Sequence, residues 1–315
     1  MENHLSTVNI DISIMKKLLF IMLFFPQMLW AQFSQKEGWN IHAEVNTASE
    51  ESYRMHVKDM ERDYDVDMQE KLKARLLAGK THQMSDNLTV GFSVNYDYYN
   101  FSIGQRNASL TNDDQHHTFG LSGHALYKME LWEKPFIVAG NLKMEASPWG
   151  LERFSGMGTG MLMLKSSQEE TLGVGLLLLV NHTTKIPFFP FAMWRKQIDD
   201  RWTVNLNYPF YSMQYTVDTQ KRHTVMGGFT FDADHFWAKV PDETGKRVLL
   251  FRRSLLKTGI NYEYKITPDV VMNAQAGWEY TMRAAIYSRH GGTEKMTFNH
   301  PSGIYAMMNL KVNLK

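Results

Sequence analysis

His300 and Ser302 stand two positions apart near the C-terminal end of the chain, a spacing that puts an imidazole and a hydroxyl on the same face of an extended strand. A serine becomes a nucleophile when a base lies against its hydroxyl and a carboxylate or amide orients that base, so the pair would suit ester or lipid hydrolysis. Pro301 between them suits a loop equally well. A second grouping, Asp113, Asp114, His116 and His117, gathers two hard oxygen donors and two imidazoles in one short segment, the donor types that hold a divalent cation. Adjacent residues seldom converge on one ion, and no fixed ligand spacing is present, so a solvated loop is the plainer expectation and no metal or other cofactor is expected. His290, between Arg289 and Gly291-Gly292, reads as a loop residue.

A third set is dispersed. Lys143, Glu145, Glu263, Glu279, Arg283 and Lys311, with Lys71, Lys73, Arg75, His124, Lys128 and Glu130, fall on the polar phase of segments whose alternate residues are apolar. If the apolar phase faces lipid, these face a lumen. Mixed signs at this density point to ion-paired networks filling a narrow interior, with no single-sign constriction. Gly156, Gly158, Gly160, Gly173 and Gly175 lack the order of a phosphate loop and suit bends or close strand contact.

The elements that must position these groups are strands. From Ile304 every second residue is apolar (Ala306, Met308, Leu310, Val312, Leu314), with Asn309, Lys311 and Asn313 between. The same two-faced pattern runs through Leu88–Tyr98 and Val270–Met282 and recurs from Gly38 onward. Strands are expected at roughly 38–48, 63–80, 88–102, 116–131, 135–147, 157–166, 171–181, 188–196, 201–208, 211–217, 223–234, 255–265, 269–283 and 303–314. Connectors alternate between short (81–87, 132–134, 167–170, 197–200, 218–222, 266–268) and mostly longer (49–62, 103–115, 148–156, 182–187, 235–254, 284–302), the asymmetry between periplasmic turns and extracellular loops. The expected fold is an all-β, antiparallel, up-and-down transmembrane barrel of fourteen strands, or twelve if the short pair at 201–217 or the first pair drops out. Residues 50–78 also carry a helix-like spacing (Val57, Met60, Tyr64, Met68, Leu72), and strand is preferred there. Aromatic residues gather near strand ends (Tyr98, Tyr99, Trp132, Trp149, Trp194, Trp202, Trp278), as in the girdles at lipid headgroups.

Lys16-Lys17, the apolar run Leu18–Trp30 and Ala31 before Gln32 form a secretory signal with cleavage after Ala31; translation is expected to start at Met15, since Glu2 and Asp11 do not suit such a leader. Residues 32–315 then form the barrel domain, with no linker to divide it. A net charge of +1 offers no field to recruit nucleic acid. The chain has no cysteine, which excludes disulfides, a lipoprotein anchor and thiolate chemistry. Expected partners are outer-membrane lipid and the outer-membrane assembly machinery; any small-molecule ligand, and the oligomeric state, are unspecified.

The leader ending at Ala31-Gln32, the run Phe188–Trp194, Asp199-Asp200-Arg201-Trp202, the Asn207-Tyr208-Pro209 break and the strand from Ile304 resemble uncharacterised outer-membrane β-barrel proteins of the Bacteroidota. That resemblance implies a barrel in the outer membrane and no particular activity. Such proteins commonly finish on an aromatic residue, whereas this chain ends Leu314-Lys315. The His300-x-Ser302 pair is similar to one in outer-membrane lipid hydrolases, in which an asparagine usually follows the serine; Gly303 stands there instead. The sequence thus favours a non-enzymatic narrow pore or a structural or surface-binding barrel. A lipid-modifying hydrolase and a soluble exported β-sandwich are the alternatives.

Overall fold

The computed structural model describes residues 37–49, 51–57, 62–105, 111–180, 188–207, 210–242, 245–289, 293–299 and 302–314. The leader, His290, His300 and Pro301 lie outside them. Every described element is a strand: β1 (Gly38–Ala48), β2 (Glu51–Val57), β3 (Arg62–Gln83), β4 (Leu88–Gln105), β5 (Thr111–Leu131), β6 (Lys134–Ser147), β7 (Gly150–Ser166), β8 (Glu170–Val180), β9 (Phe188–Gln197), β10 (Trp202–Asn207), β11 (Phe210–Thr216), β12 (His223–Asp242), β13 (Gly245–Thr267), β14 (Val270–Ser288), β15 (Glu294–Phe298) and β16 (Ser302–Leu314). Each pairs antiparallel with its neighbours, and β1 closes the circle by pairing with both β3 and β16.

Sixteen segments make fourteen staves among the described residues. β1 and β2 hold one unbroken register on β3, since Asn46 pairs with Lys73 and Glu51 with Met68. β16 and β15 do the same on β14, through Tyr280 with Ser302 and Ala284 with Phe298. Among the described residues every stave is paired on both sides around this ring, so its backbone donors and acceptors are met within the wall. β10 and β11, too short to cross lipid on their own length, remain part of it, which fixes the count at fourteen and not twelve.

Alternation sets the faces. Outward stand Leu76, Phe92, Leu121, Leu142, Leu176, Ile260, Trp278 and Ile304, all exposed, while the intervening Arg75, Ser93, Glu279 and Tyr305 point inward. An exposed apolar belt around a polar interior inverts the order of a water-soluble sandwich. Short turns close one end. At Trp132-Glu133 both residues have positive φ (53° and 60°), the two-residue hairpin turn whose twist matches the strands. Between β11 and β12, the backbone N–H groups of His223 and Arg222 donate to Asp218 Oδ1 at 2.8 and 2.9 Å and hold that carboxyl below its ordinary range.

At the other end the sequence expectation needs correcting. Much of the segments read as long loops at 49–62, 103–115, 235–254 and 284–302 continues as paired strand, and the connector expected at 148–156 shrinks to Pro148-Trp149. These stretches rise above the apolar belt. With no place in that belt, they lose the period-two signal while keeping the backbone ladder. Residues 51–57 and 62–83 are strand, as preferred.

Candidate functional site

The interior charges meet across the barrel. Lys73 on β3 and Asp234 on β12 join at 2.5 Å, with side chains 1% and 2% exposed. Arg253 on β13 binds Glu70 on the opposite wall and also reaches Asp234 Oδ2 at 3.1 Å and Glu279 Oε1 at 3.5 Å. Lys257 follows two pleat repeats further along β13, 3.1 Å from Asp232 and 3.7 Å from Glu279. Asn46 Nδ2 donates to Glu70 at 3.0 Å, and Arg75 pairs with Asp97. Opposite signs alternate through this layer, which is the condition for keeping charges ionised away from water.

Local sequence explains how these groups reach one height. β12 delivers Asp232 and Asp234 two positions apart, hence to one face, and β13 delivers Arg253 and Lys257 in the same phase. On β3 a bulge lies between Glu70 and Leu72, so the phase that carries Lys73 and Arg75 inward below it passes to Glu70 above it. Lys71 is exposed as a result, contrary to the lumen phase expected for it. A row of glycines lies beneath the charges: Gly228, Gly259 and Gly277 are register neighbours on β12, β13 and β14. A Cβ on Gly277 would meet Thr258 O at 2.0 Å, and one on Gly259 would meet Ala276 O at 2.3 Å. The wall approaches itself closely there, and Tyr305, next in register after Gly277, lies buried under Lys257 with its ring centroid 5.2 Å from Nζ.

Above the charges the barrel is filled by rings. Tyr99, Phe101, Phe236, Phe251 and Phe298 form a buried cluster with Ala284. The ring of His116 stacks on Phe236 at 4.3 Å between centroids. Consecutive residues Phe236 and Trp237 are each 1% exposed, so β12 is packed on both faces there, with Phe236 on β4 and β5 and His235 against Glu145 of β6 and Arg153 of β7. At the short-turn end a cavity of about 160 Å³ opens among Arg195, Asp200, Gln214, Thr224, Glu263 and Lys265.

The residues singled out from sequence fall as follows. Glu145 and Glu279 are fully buried, Lys143 lies 2.8 Å from Glu145, Lys311 is half-buried on β16, and Glu263 lines the cavity 3.9 Å from Lys265. Arg283 needs a correction: β14 gains Met282 as an extra residue opposite Ser254 and Leu255, so Arg283 leaves the phase of Glu279 and pairs with Glu294. His116 and His117 point to opposite faces, the first onto Phe236, the second hydrogen-bonded to Tyr96 Oη at 2.8 Å, so the two imidazoles do not meet. The side chains of Asp113 and Asp114 are outside the described residues. Ser302 stands exposed on β16 opposite Tyr280. Asp232, Asp234, Arg253 and Lys257 were missed because they flank or lie within a segment read as loop, although their spacing extends the polar phase of the strands on either side.

The family model described as "Domain of unknown function (DUF6268)" matches residues 31–314, and the chain belongs to this family. No curated protein matches it. Among solved structures, a Pseudomonas aeruginosa FadL homologue aligns at 10% identity over 92% of this chain and 95% of its own, with a TM-score of 0.43. An outer membrane channel from Pseudomonas putida aligns at 11% identity over 88% and 97%, TM-score 0.42. The outer membrane protease OmpT from Escherichia coli aligns at 10% identity over 88% and 97%, TM-score 0.35.

Proposed function

We propose that this member of the DUF6268 family is a non-enzymatic outer-membrane barrel that acts as a narrow pore, held shut in this conformation by charges bridging its lumen. The observation that carries the reading is the join of Lys73 and Arg253 to Asp234 and Glu70, drawn from opposite walls and almost wholly removed from water. A wall that served only as a scaffold would be filled at less cost by apolar side chains, since burying ions is expensive and well-packed hydrophobic replacements are often neutral or stabilising. Ion pairs spanning a lumen can part and take up water, which an apolar plug cannot do without exposing its surface. The exposed apolar belt supports lipid as the partner of the outer face, and the outer-membrane assembly machinery is the partner this reading requires for insertion. Export through the leader, with cleavage after Ala31, belongs to the same reading.

Fractionation of expressing cells, with a gel of boiled and unboiled samples, tests the location: the protein is expected with the outer membrane and to migrate faster unboiled, because a closed barrel resists detergent. Efflux of small solutes from liposomes carrying the refolded chain tests the pore. A soluble periplasmic protein, or an outer-membrane barrel that never releases a solute, would contradict it.

A further inference from the structure

The cavity of about 160 Å³ at the short-turn end is walled by the inner phase of five strands, β9 to β13. Gln197, Thr203, Gln214 and Met226 are successive register partners on β9, β10, β11 and β12 and make one tier of its wall. Thr216, Thr224 and Glu263, partners on β11, β12 and β13, make the next tier toward the turns. Arg195 lies two positions from Gln197 on β9, and Lys265 two positions from Glu263 on β13, so both share the inward phase. The turns supply Asp200 and Lys221, the latter held at a φ of 54°.

The charges around this void do not cancel. Arg195, Lys221 and Lys265 face Asp200 and Glu263 across it, which leaves one positive charge. Glu263 is answered by Lys265 at 3.9 Å. Arg195 has no carboxylate within ion-pair distance among the described residues; its Nη1 donates to Gln168 O at 3.3 Å, and a guanidinium has further N–H groups to give. The two tiers add three hydroxyls and two amides, which both donate and accept. One amide is poorly served: Gln214 Nε2 donates to the sulfur of Met226 at 3.2 Å, and a thioether is a weak acceptor. Met226 is the one apolar side chain among the described lining residues, and no aromatic ring stands with it, so a hydrophobic body would gain little there.

We propose that this cavity binds a small hydrophilic monocarboxylate, its carboxylate taken by the Arg195 guanidinium and its hydroxyl groups by the threonine and glutamine tiers. A guanidinium presents paired donors that match the two oxygens of a carboxylate, and one negative charge brings the lining to neutrality. A cation would add to the surplus already there. The proposal rests on the pore reading for the way such a solute enters the lumen, and it names the class of solute that the lumen would take.

Met226 reports on the cavity from its wall. In the full-length refolded protein carrying methyl-labelled methionine, with Met226→Leu to identify the signal, lactate is expected to shift the Met226 methyl resonance saturably. Propane-1,2-diol and 1-aminopropan-2-ol, close in shape but neutral and cationic, should be weaker by about tenfold. Met213 and Met308, exposed on the outer belt, should not move. Arg195→Gln should weaken lactate by about tenfold at unchanged unboiled gel mobility, and Glu263→Gln, which removes a competing anion, should tighten it several-fold, a gain that a damaged fold does not give. Three solutes that act alike, a methyl that none of them moves because the cavity holds water only, or an Arg195→Gln protein that binds lactate undiminished overturns the site. Liposome efflux keeps the two readings apart. A selective shift with no solute ever released leaves the site standing and overturns the pore, whereas lactate released without a selective shift overturns the site and leaves the pore.

Discussion

Lys73 Nζ and Asp234 Oδ1 lie 2.5 Å apart although 161 positions separate them in the chain, one on β3 and the other on β12. These strands are not neighbours in the wall, so the contact crosses the barrel. It can form only because β12 leans inward above the Gly228–Gly259–Gly277 row and because Asp232 and Asp234 share one phase. Removing one partner should therefore be far worse than removing both. Asp234→Asn or Lys73→Met alone should destabilise the barrel by about 3–5 kcal/mol, since each leaves a buried charge without its partner, whereas the double variant should recover most of the loss. Denaturant midpoints of the refolded chain in lipid give the comparison; additive losses would show that the pair is not coupled.

Ile260 and Asn261 are consecutive on β13 and face opposite solvents, the isoleucine exposed on the apolar belt and the asparagine in the interior phase. Ile260→Arg should cost about 2–4 kcal/mol near the bilayer midplane, while Asn261→Arg should be tolerated because the lumen is polar. Equal costs from both, measured by refolding into the same vesicles, would mean that the outer face does not meet lipid.

The glycine row is a steric requirement. Gly277→Ala pushes a methyl into Thr258 O, an atom of the backbone that cannot swing aside, and should cost about 1–3 kcal/mol. Gly227→Ala, at a position with nothing within 4 Å of the new methyl, should not. The same denaturant titration distinguishes them, and equal midpoints would show that the wall has room for a methyl at the glycine row.

The turn at Trp132-Glu133 holds two non-glycine residues at positive φ. Replacing the pair by Asn-Gly, which populate that region readily, should raise stability by about 1 kcal/mol without moving the barrel. A loss of stability would show that Trp132, exposed at 77%, anchors the turn to the interface through its ring.

Much of this fold is written in alternation. Ile304 to Leu314 announces its two faces, and so does Val270 to Met282, because each residue there faces either the exposed apolar belt or the interior. The upper tier was not legible for the opposite reason: at Phe236–Trp237 on β12 and at Leu249–Phe251 on β13 both faces of the strand are packed, so successive residues are buried and no period emerges. Bulges at Lys71 and Met282 reverse the phase within a single strand, which is why Lys71 and Arg283 were assigned to the lumen and Glu70 was not. Of the charged layer, Glu279 and Lys73 could be read from their strands. Asp234 and Arg253 could not, because what makes them a site is the crossing of the barrel, and that depends on residues far apart in the chain.

Conductance of the refolded chain in a planar bilayer is the most direct measure of a lumen held shut by charge. The unsubstituted protein should carry little current, and Lys73→Ala with Asp234→Ala, which removes the bridge together with both of its charges, should increase it several-fold while the unboiled gel mobility stays that of a folded barrel. A folded double variant whose current matches the unsubstituted protein would contradict the account.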